Sequence, residues 1–276
     1  MSDQIHHAVS SDGTRIAGRV SGRGPPLVLA HGGADDGEFS WGAMLPMLEE
    51  RFTCYVPSMR GRGLSEDSDD HRPERHVEDL ASFVESIGEP VRLAGYSTGG
   101  LSALGTVQSG ADVSALALYE SPVFEYFLEG EMGQRYLAAV EAAAEATEEG
   151  QLETAARAFL GRSGFCNDRE MAALDEADAF EEIGQHMPLL LRVMEQAPES
   201  EAPSPNDPDE LARVAVPVLL ARGSDTTPGH ARSITRLAEE LPRGEVREIP
   251  GAGHLAPAVE PEPVAQEFIR FFEGRA

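Results

Sequence analysis

Stretches of period two and continuous apolar runs alternate along this chain with stretches of period 3.6, and that rhythm sets the first expectations. From Ile5 to Val20 two short extended segments flank Ser11-Asp12-Gly13, a hairpin signal. Leu27-Val28-Leu29-Ala30 is a continuous apolar run suited to a strand buried on both faces, and it runs into His31-Gly32-Gly33. Phe39 to Arg51 reads as an amphipathic helix, Phe52 to Pro57 as a strand, and Pro73 to Gly88 as a helix with Val77, Leu80, Phe83, Val84 and Ile87 on one face. Val91 to Gly95 ends abruptly in Gly95-Tyr96-Ser97-Thr98-Gly99 and then becomes a small-residue helical pattern, after which Val113 to Tyr119 forms another strand. Strands alternating with helices predict right-handed crossovers and a mostly parallel sheet.

The rhythm changes after Phe124. Only helical patterns occur up to Ala197: Arg135 to Glu149, Gln151 to Leu160, Arg169 to Glu182 and Met187 to Gln196. An acidic, proline-rich connection follows, from Ala197 to Pro208. Alternation then resumes with a strand over Val216 to Ala221, a helix from His230 to Leu241, a strand over Val246 to Ile249 and a last helix from Val264 to Phe272. The pattern predicts an α/β fold interrupted by an all-helical insertion, with residues 1–123 and 209–276 as core and 124–208 as cap.

Composition narrows the partners. The formal charge is −26, and all 22 basic residues are arginine. Such a surface repels nucleic acid and anionic membrane, so neither is expected as a partner. The absence of lysine fits a GC-rich genome or adaptation to high salt, and composition alone does not separate the two. No apolar run approaches the roughly 20 residues that span a bilayer, and the N-terminus through His7 shows no apolar leader, so a cytoplasmic protein is expected. Cys54 and Cys166 read as buried free thiols, and no His, Asp, Glu or Cys cluster has metal-ligand spacing, so no metal or cofactor is expected. Whether the chain is a monomer or a homo-oligomer is left open.

The candidate chemistry centres on Ser97. A Gly-x-Ser-x-Gly at a strand-to-helix turn puts a serine at a strained apex and leaves the Thr98 N–H at a helix N-terminus, where an anion is favoured. A nucleophilic serine needs a base and oxyanion donors. His254 lies in the glycine-flanked loop after the last strand, and Ser97, Glu120, Asp225 and His254 each follow a predicted strand, at the sheet edge where sites in parallel sheets collect. A lone Gly-x-Ser-x-Gly is a weak signal. Joined to the upstream His31-Gly32-Gly33 and the downstream Gly251-Ala252-Gly253-His254, it is a strong one.

With these residues the chain resembles the α/β-hydrolase-fold enzymes of the esterase, lactonase and epoxide-hydrolase-like group that carry a helical cap. The likeness extends to the Arg60-Gly61-Arg62-Gly63-Leu64-Ser65 loop, where Ser58 stands at the place of a usual aspartate, and to Glu120-Ser121-Pro122 and the Gly223 to Pro228 loop. It implies a sheet-and-cap α/β-hydrolase fold, a serine nucleophile and an oxyanion hole formed by the N–H groups of Gly33 and Thr98. His31 is expected as a hydrogen-bonding turn residue rather than a proton carrier, and the arginine loop as a turn rather than a phosphate cradle. Two positions compete for the acid behind His254. Asp225 sits in the loop of the commoner arrangement, which looks one residue short here; Glu120 matches the rarer arrangement, and its extra methylene helps it reach.

The implied activity is hydrolysis of a small-molecule ester or lactone through an acyl-enzyme on Ser97. Carbon–carbon hydrolysis of β-diketone-like substrates and a small-molecule receptor with little turnover are the alternatives. A serine in place of an aspartate nucleophile argues against dehalogenase and epoxide hydrolase chemistry. Tyr96, Trp41, Phe124 and Tyr126, with Phe127 and Met187, are the candidate pocket residues; His230 is expected to be a helix-start residue with little part in the site.

Overall fold

The computed structural model describes residues 4–275; Met1 to Asp3, part of the N-terminal stretch read above for a leader, and Ala276 lie outside them. Three strands open the chain: β1 (Gln4–Val9), β2 (Arg15–Gly22) and β3 (Pro26–Ala30). The first two form the expected hairpin, with Gly13 at φ +92°, a conformation that a residue with a Cβ rarely adopts. The helix expected over Phe39 to Arg51 is instead two short pieces, α1 (Gly37–Trp41) and α2 (Leu45–Leu48). Gly42 ends the first piece and Pro46, which cannot donate a helical N–H, starts the second.

Next come β4 (Thr53–Pro57), α3 (Pro73–Ile87), β5 (Val91–Tyr96), α4 (Gly99–Gln108) and β6 (Val113–Tyr119). The sheet has eight strands in the order β1-β2-β4-β3-β5-β6, completed by β7 (Val218–Gly223) and β8 (Gly244–Ile249). The β1–β2 and β2–β4 pairs are antiparallel, and every pair from β4 to β8 is parallel. Because β3, β5 and β6 occupy the centre, both of their faces are covered. Their near-continuous apolar sequences are buried along their length, apart from Ser114. One face packs on α1, α2 and the C-terminal helix, Pro261–Glu273, through Trp41, Phe52, Phe268 and Phe272. The other packs on α3, α4 and the helix Pro228–Glu240 through Phe83, Leu104, Ile234 and Leu237.

Between β6 and β7 the chain is helical: α5 (Gly130–Glu148), α6 (Leu152–Arg157), α7 (Asp168–Glu176), α8 (Ala179–Gln185), α9 (Met187–Gln196) and α10 (Pro208–Leu211). The stretch expected as one helix from Arg169 to Glu182 breaks at Asp178, which has φ +51°. The insertion has a core of its own built from Tyr136, Phe159, Leu174, Phe180 and Ile183, which extends onto Leu255 beside His254. The remaining helices are α11 (Pro228–Glu240), α12 (Ala256–Val259) and α13 (Pro261–Glu273). Among the described residues no helix is long and apolar enough to cross a membrane.

Candidate active site

Ser97 stands at the end of β5 with φ +51°, and its N–H donates to the Tyr119 carbonyl at 2.9 Å. A left-handed serine is strained, and the neighbouring glycines are what allow the turn. A Cβ on Gly95 would lie 2.6 Å from the Gly100 Cα, and one on Gly100 would meet the Ser121 side chain at 2.6 Å. Small residues at these positions let α4 start directly over the strand.

Glu120 ends β6 in the same unusual conformation, φ +47°, with its N–H bonded to the Ala221 carbonyl at 3.0 Å. That bend turns its side chain along the sheet edge. Its Oε1 accepts from the Gly223 N–H at 2.9 Å, and its Oε2 meets His254 Nδ1 at 2.9 Å. The carboxylate is wholly inaccessible to solvent. Burial pushes its pKa up, but the His254 hydrogen bond, the nearby His230 and His254 rings and the Gly223 N–H outweigh that and hold it below the usual carboxylate value.

Of the two carboxylates considered for this place, the structure therefore brings Glu120 to His254. Asp225 does not reach it. Its side chain is 51% exposed, accepts from Ser224 Oγ at 3.0 Å and lies 3.9 Å from Arg169. The short loop after β7 binds its own backbone back onto Ala252, through the Asp225 N–H, and leaves that carboxylate outside.

The loop carrying His254 is fastened from two sides. From the sheet, Tyr119 Oη donates to the Gly253 carbonyl at 2.6 Å. From the insertion, Asn167 and Glu170 form a capping box at the start of α7, and the Glu170 carboxylate then reaches past it. Its Oε2 accepts from Asn167 N at 3.0 Å while its Oε1 accepts from Leu255 N at 2.6 Å. Burial, against those backbone donors, raises the Glu170 pKa. Arg169 adds a bond to the Gly251 carbonyl. Gly253 permits the close approach, because a Cβ there would sit 2.5 Å from Glu170 Oε1 and 2.7 Å from Asn167 Nδ2. Sequence reasoning missed Glu170, although Asn-x-x-Glu at a helix start was visible as a capping signal.

On the opposite side, the β3 exit presents Gly33. His31 Nδ1 meets the Gly32 carbonyl at 2.8 Å and its Nε2 accepts from Met59 N–H at 3.0 Å, so Nδ1 carries the proton. The ring is thereby committed to holding the turn. It bonds the very peptide whose N–H belongs to Gly33, which strengthens that donor. Arg62 donates to the carbonyls of Asp35 and Gly33, with burial lowering its pKa to about 10. Arg60 forks onto Asp79 at 2.6 and 2.7 Å and bonds Asp12 at 3.0 Å. The arginine loop thus ties the turn together. A Cβ on Gly33 would come within 2.7 Å of Thr98 Oγ1, so the two expected oxyanion residues adjoin. Among the described residues, neither the Gly33 nor the Thr98 N–H has a partner in the chain.

A cavity of about 600 Å³ opens over Ser97, Gly33, Thr98 and His254. The insertion supplies Tyr136, Phe159, Leu160, Phe165, Ile183 and Leu190 to its walls. Tyr96 and Phe124 also line it. Trp41 does not: it is fully buried beneath Tyr96 and against Phe268, in the core between the sheet and α13. Tyr126 lies under the Arg232 guanidinium, 4.2 Å from the ring centre, and Met187 fills the insertion's core; neither lines the cavity.

His230, expected as a mere helix-start residue, is in the site. Its ring stacks on His254 with centroids 4.1 Å apart and planes 15° from parallel. No local sequence pattern announces this contact, which depends on how α11 docks. Glu120, His230 and His254 hold their potential ligand atoms within 4.8 Å of one another. The donor set nevertheless suits a metal poorly. Both Glu120 oxygens are engaged, and near-parallel rings send their in-plane lone pairs side by side rather than to one point.

A parallel sheet with a left-handed serine at the end of its central strand, a buried Glu–His pair and an adjoining pair of unpartnered N–H groups defines a hydrolase. The comparisons agree. Residues 27–267 match the alpha/beta hydrolase family, and the chain belongs to it. The chain is 31% identical over 83 residues to pyrrolizixenacetamide deacetylase from Xenorhabdus hominickii, a match that covers 30% of each protein. It is 23% identical over 290 residues to 2-hydroxy-6-oxo-6-(2'-aminophenyl)hexa-2,4-dienoic acid hydrolase from Metapseudomonas resinovorans, covering 99% of this chain and 92% of that protein. An esterase from Rhodococcus sp. ECU1013 superposes with a TM-score of 0.77 at 23% identity over 99% of both chains, a likeness of fold.

Proposed function

We propose that the protein hydrolyses the ester or lactone bond of a small to medium organic substrate through an acyl-enzyme on Ser97. The observation that carries this reading is the buried Glu120–His254 pair, set beside the Ser97 turn at the base of a largely apolar cavity. In this scheme the substrate carbonyl sits against the N–H groups of Gly33 and Thr98. Ser97 Oγ attacks it and loses its proton to His254 Nε2, while Nδ1–H stays bonded to Glu120, which fixes the tautomer and stabilises the imidazolium. The oxyanion is held by the two N–H groups, each donor worth roughly 10²–10³ in turnover in comparable sites. Collapse passes the proton from His254 to the leaving alcohol. Water then attacks the acyl-enzyme by the same route and regenerates Ser97.

Residues 124–208 serve as a cap over a core of 1–123 and 209–276. The cap's aromatic and aliphatic walls exclude water and select the substrate's apolar part. The test is fluorophosphonate labelling with turnover of p-nitrophenyl esters, alongside Ser97→Ala. Labelling and turnover that both disappear in the variant support the reading; an unlabelled wild type would refute it and favour a receptor. Carbon–carbon hydrolysis is the second reading, favoured by the near-full-length match to the hexadienoic acid hydrolase. Faster turnover of a vinylogous β-diketone acid than of any ester would establish it instead.

A further inference from the structure

The proposed scheme leaves His230 without a task, and its surroundings suggest one. It lies in the first turn of α11, behind the capping Thr227, and is 1% exposed. Its ring is packed by Phe127 at 4.7 Å, Phe165 at 5.6 Å and His254 at 4.1 Å between centroids. Phenylalanine would fill such a box with no polar group to satisfy. The imidazole instead brings two enclosed nitrogens; among the described residues neither makes a well-formed hydrogen bond, and the Glu120 carbonyl is the acceptor near one of them.

Burial and the neighbouring His254 lower the His230 pKa to about 3, although the Glu120 carboxylate and carbonyl pull the other way. At neutral pH one nitrogen therefore donates and the other accepts. Each buried polar atom left unmet costs about 1–3 kcal/mol, and native proteins tolerate few of them. His230 also lines the cavity that holds Ser97 and His254. With the Glu120 carbonyl near one nitrogen, the partner that the other lacks within the chain can come from what enters that cavity. A ring stacked on His254 stands one aromatic layer from the reacting atoms. With hydrogen bonds of about 3 Å, it reaches only groups some two or three bonds from the carbonyl.

We propose that His230 is a specificity residue for a substrate carrying a hydroxyl or carbonyl oxygen within a few bonds of the scissile carbonyl, the rest of the bound group being apolar. This rests on the serine-hydrolase reading above. It predicts a bound oxygen function where the aromatic box alone would select hydrocarbon. The oxygen can belong to the acyl side or the alcohol side, and the test has an arm for each.

The experiment compares kcat/KM within two ester pairs. The acyl-side pair is p-nitrophenyl hexanoate and 3-hydroxyhexanoate; the alcohol-side pair is n-propyl and 2-hydroxyethyl hexanoate. The wild type is expected to favour the oxygenated member of one pair by about tenfold, the worth of one well-made neutral hydrogen bond. His230→Phe is expected to bring that ratio close to one, and His230→Asn, which keeps a donor and an acceptor, to recover part of it. No preference in the wild type, or a preference that survives in His230→Phe, overturns the proposal. So does an equal loss on both members with a displaced pH profile, which would make His230 a support for His254. Affinities of hexanoate and 3-hydroxyhexanoate for Ser97→Ala, with and without His230→Phe, make the same comparison without turnover. If the wild type cleaves none of the esters and takes no fluorophosphonate label, the hydrolase reading fails, while the affinity ratio still decides the role of His230.

Discussion

Replacing Glu120 by glutamine exchanges one carboxylate oxygen for an NH2 group at almost constant volume, and the surroundings leave that group nowhere harmless to point. One oxygen accepts from Gly223 N–H and the other from His254 Nδ1, both at 2.9 Å. If the amide oxygen stays on Gly223, its NH2 faces Nδ1, which must then give up its proton and accept. The proton moves to Nε2, and His254 can no longer take one from Ser97. If the amide flips, two N–H donors oppose each other at Gly223 in a buried place, which costs on the order of 1–3 kcal/mol. The first outcome is cheaper, so the variant should fold and fail. An imidazole held in the wrong tautomer costs about 10⁴ in turnover, equivalent to roughly 5.5 kcal/mol of barrier. Asp225→Asn changes a half-exposed side chain whose partners among the described residues are Ser224 and a distant Arg169, and should leave turnover within about twofold. The assay is kcat/KM on one p-nitrophenyl ester with a denaturation curve for each variant. A loss below tenfold for Glu120→Gln, or a crippled Asp225→Asn, would refute the assignment.

Other perturbations should show equally distinct outcomes. Glu170→Ala orphans the buried Leu255 N–H and frees the His254 loop; it is expected to cost about 1–3 kcal/mol in urea unfolding and to lower kcat more than it raises KM. Ser97→Gly removes the only side chain strained at the φ +51° turn. It should be inactive yet more stable than the wild type by about 1 kcal/mol, and equal or lower stability would contradict the strain. His230 has a folded-state pKa lowered to about 3, below its unfolded value, so the unfolded chain binds the extra proton as pH falls below about 6.5. Stability is therefore lost on acidification between those values. His230→Phe should lose about 2 kcal/mol less than the wild type between pH 7 and pH 5, read from urea midpoints.

The succession of strands and helices along the chain and the positions of Ser97 and His254 were readable because they depend on local patterns. An apolar run, a pair of glycines and a turn each act within a few residues, and the parallel core converts them into a known edge. The two acid candidates were not separable in this way. The choice depends on whether the loop after β7 projects its carboxylate inward, and Asp225 is turned outward because its own N–H is bound to Ala252. Trp41 and Tyr126 read as pocket residues because an apolar ring on a short helical turn has the same spacing whether it faces a cavity or the core. Only the packing of α13 and α11 decides which face each one meets. Glu170 and His230 lie still further from local reading. Each acts across more than 20 residues of chain, on an element whose docking no local pattern reports.

The fastening of α7 to the His254 loop bears on how this architecture can be re-engineered. Helical insertions look like exchangeable modules, grafted between two strands to give a shared scaffold a new specificity. Here one module also carries part of the scaffold's own support, since Glu170 and Arg169 hold Leu255 and Gly251. A chimera that replaces the whole segment between β6 and β7 removes that brace together with the pocket walls. A graft that keeps Asn167 to Glu170 in place and exchanges only the neighbouring helices changes what enters the cavity while leaving the His254 loop anchored.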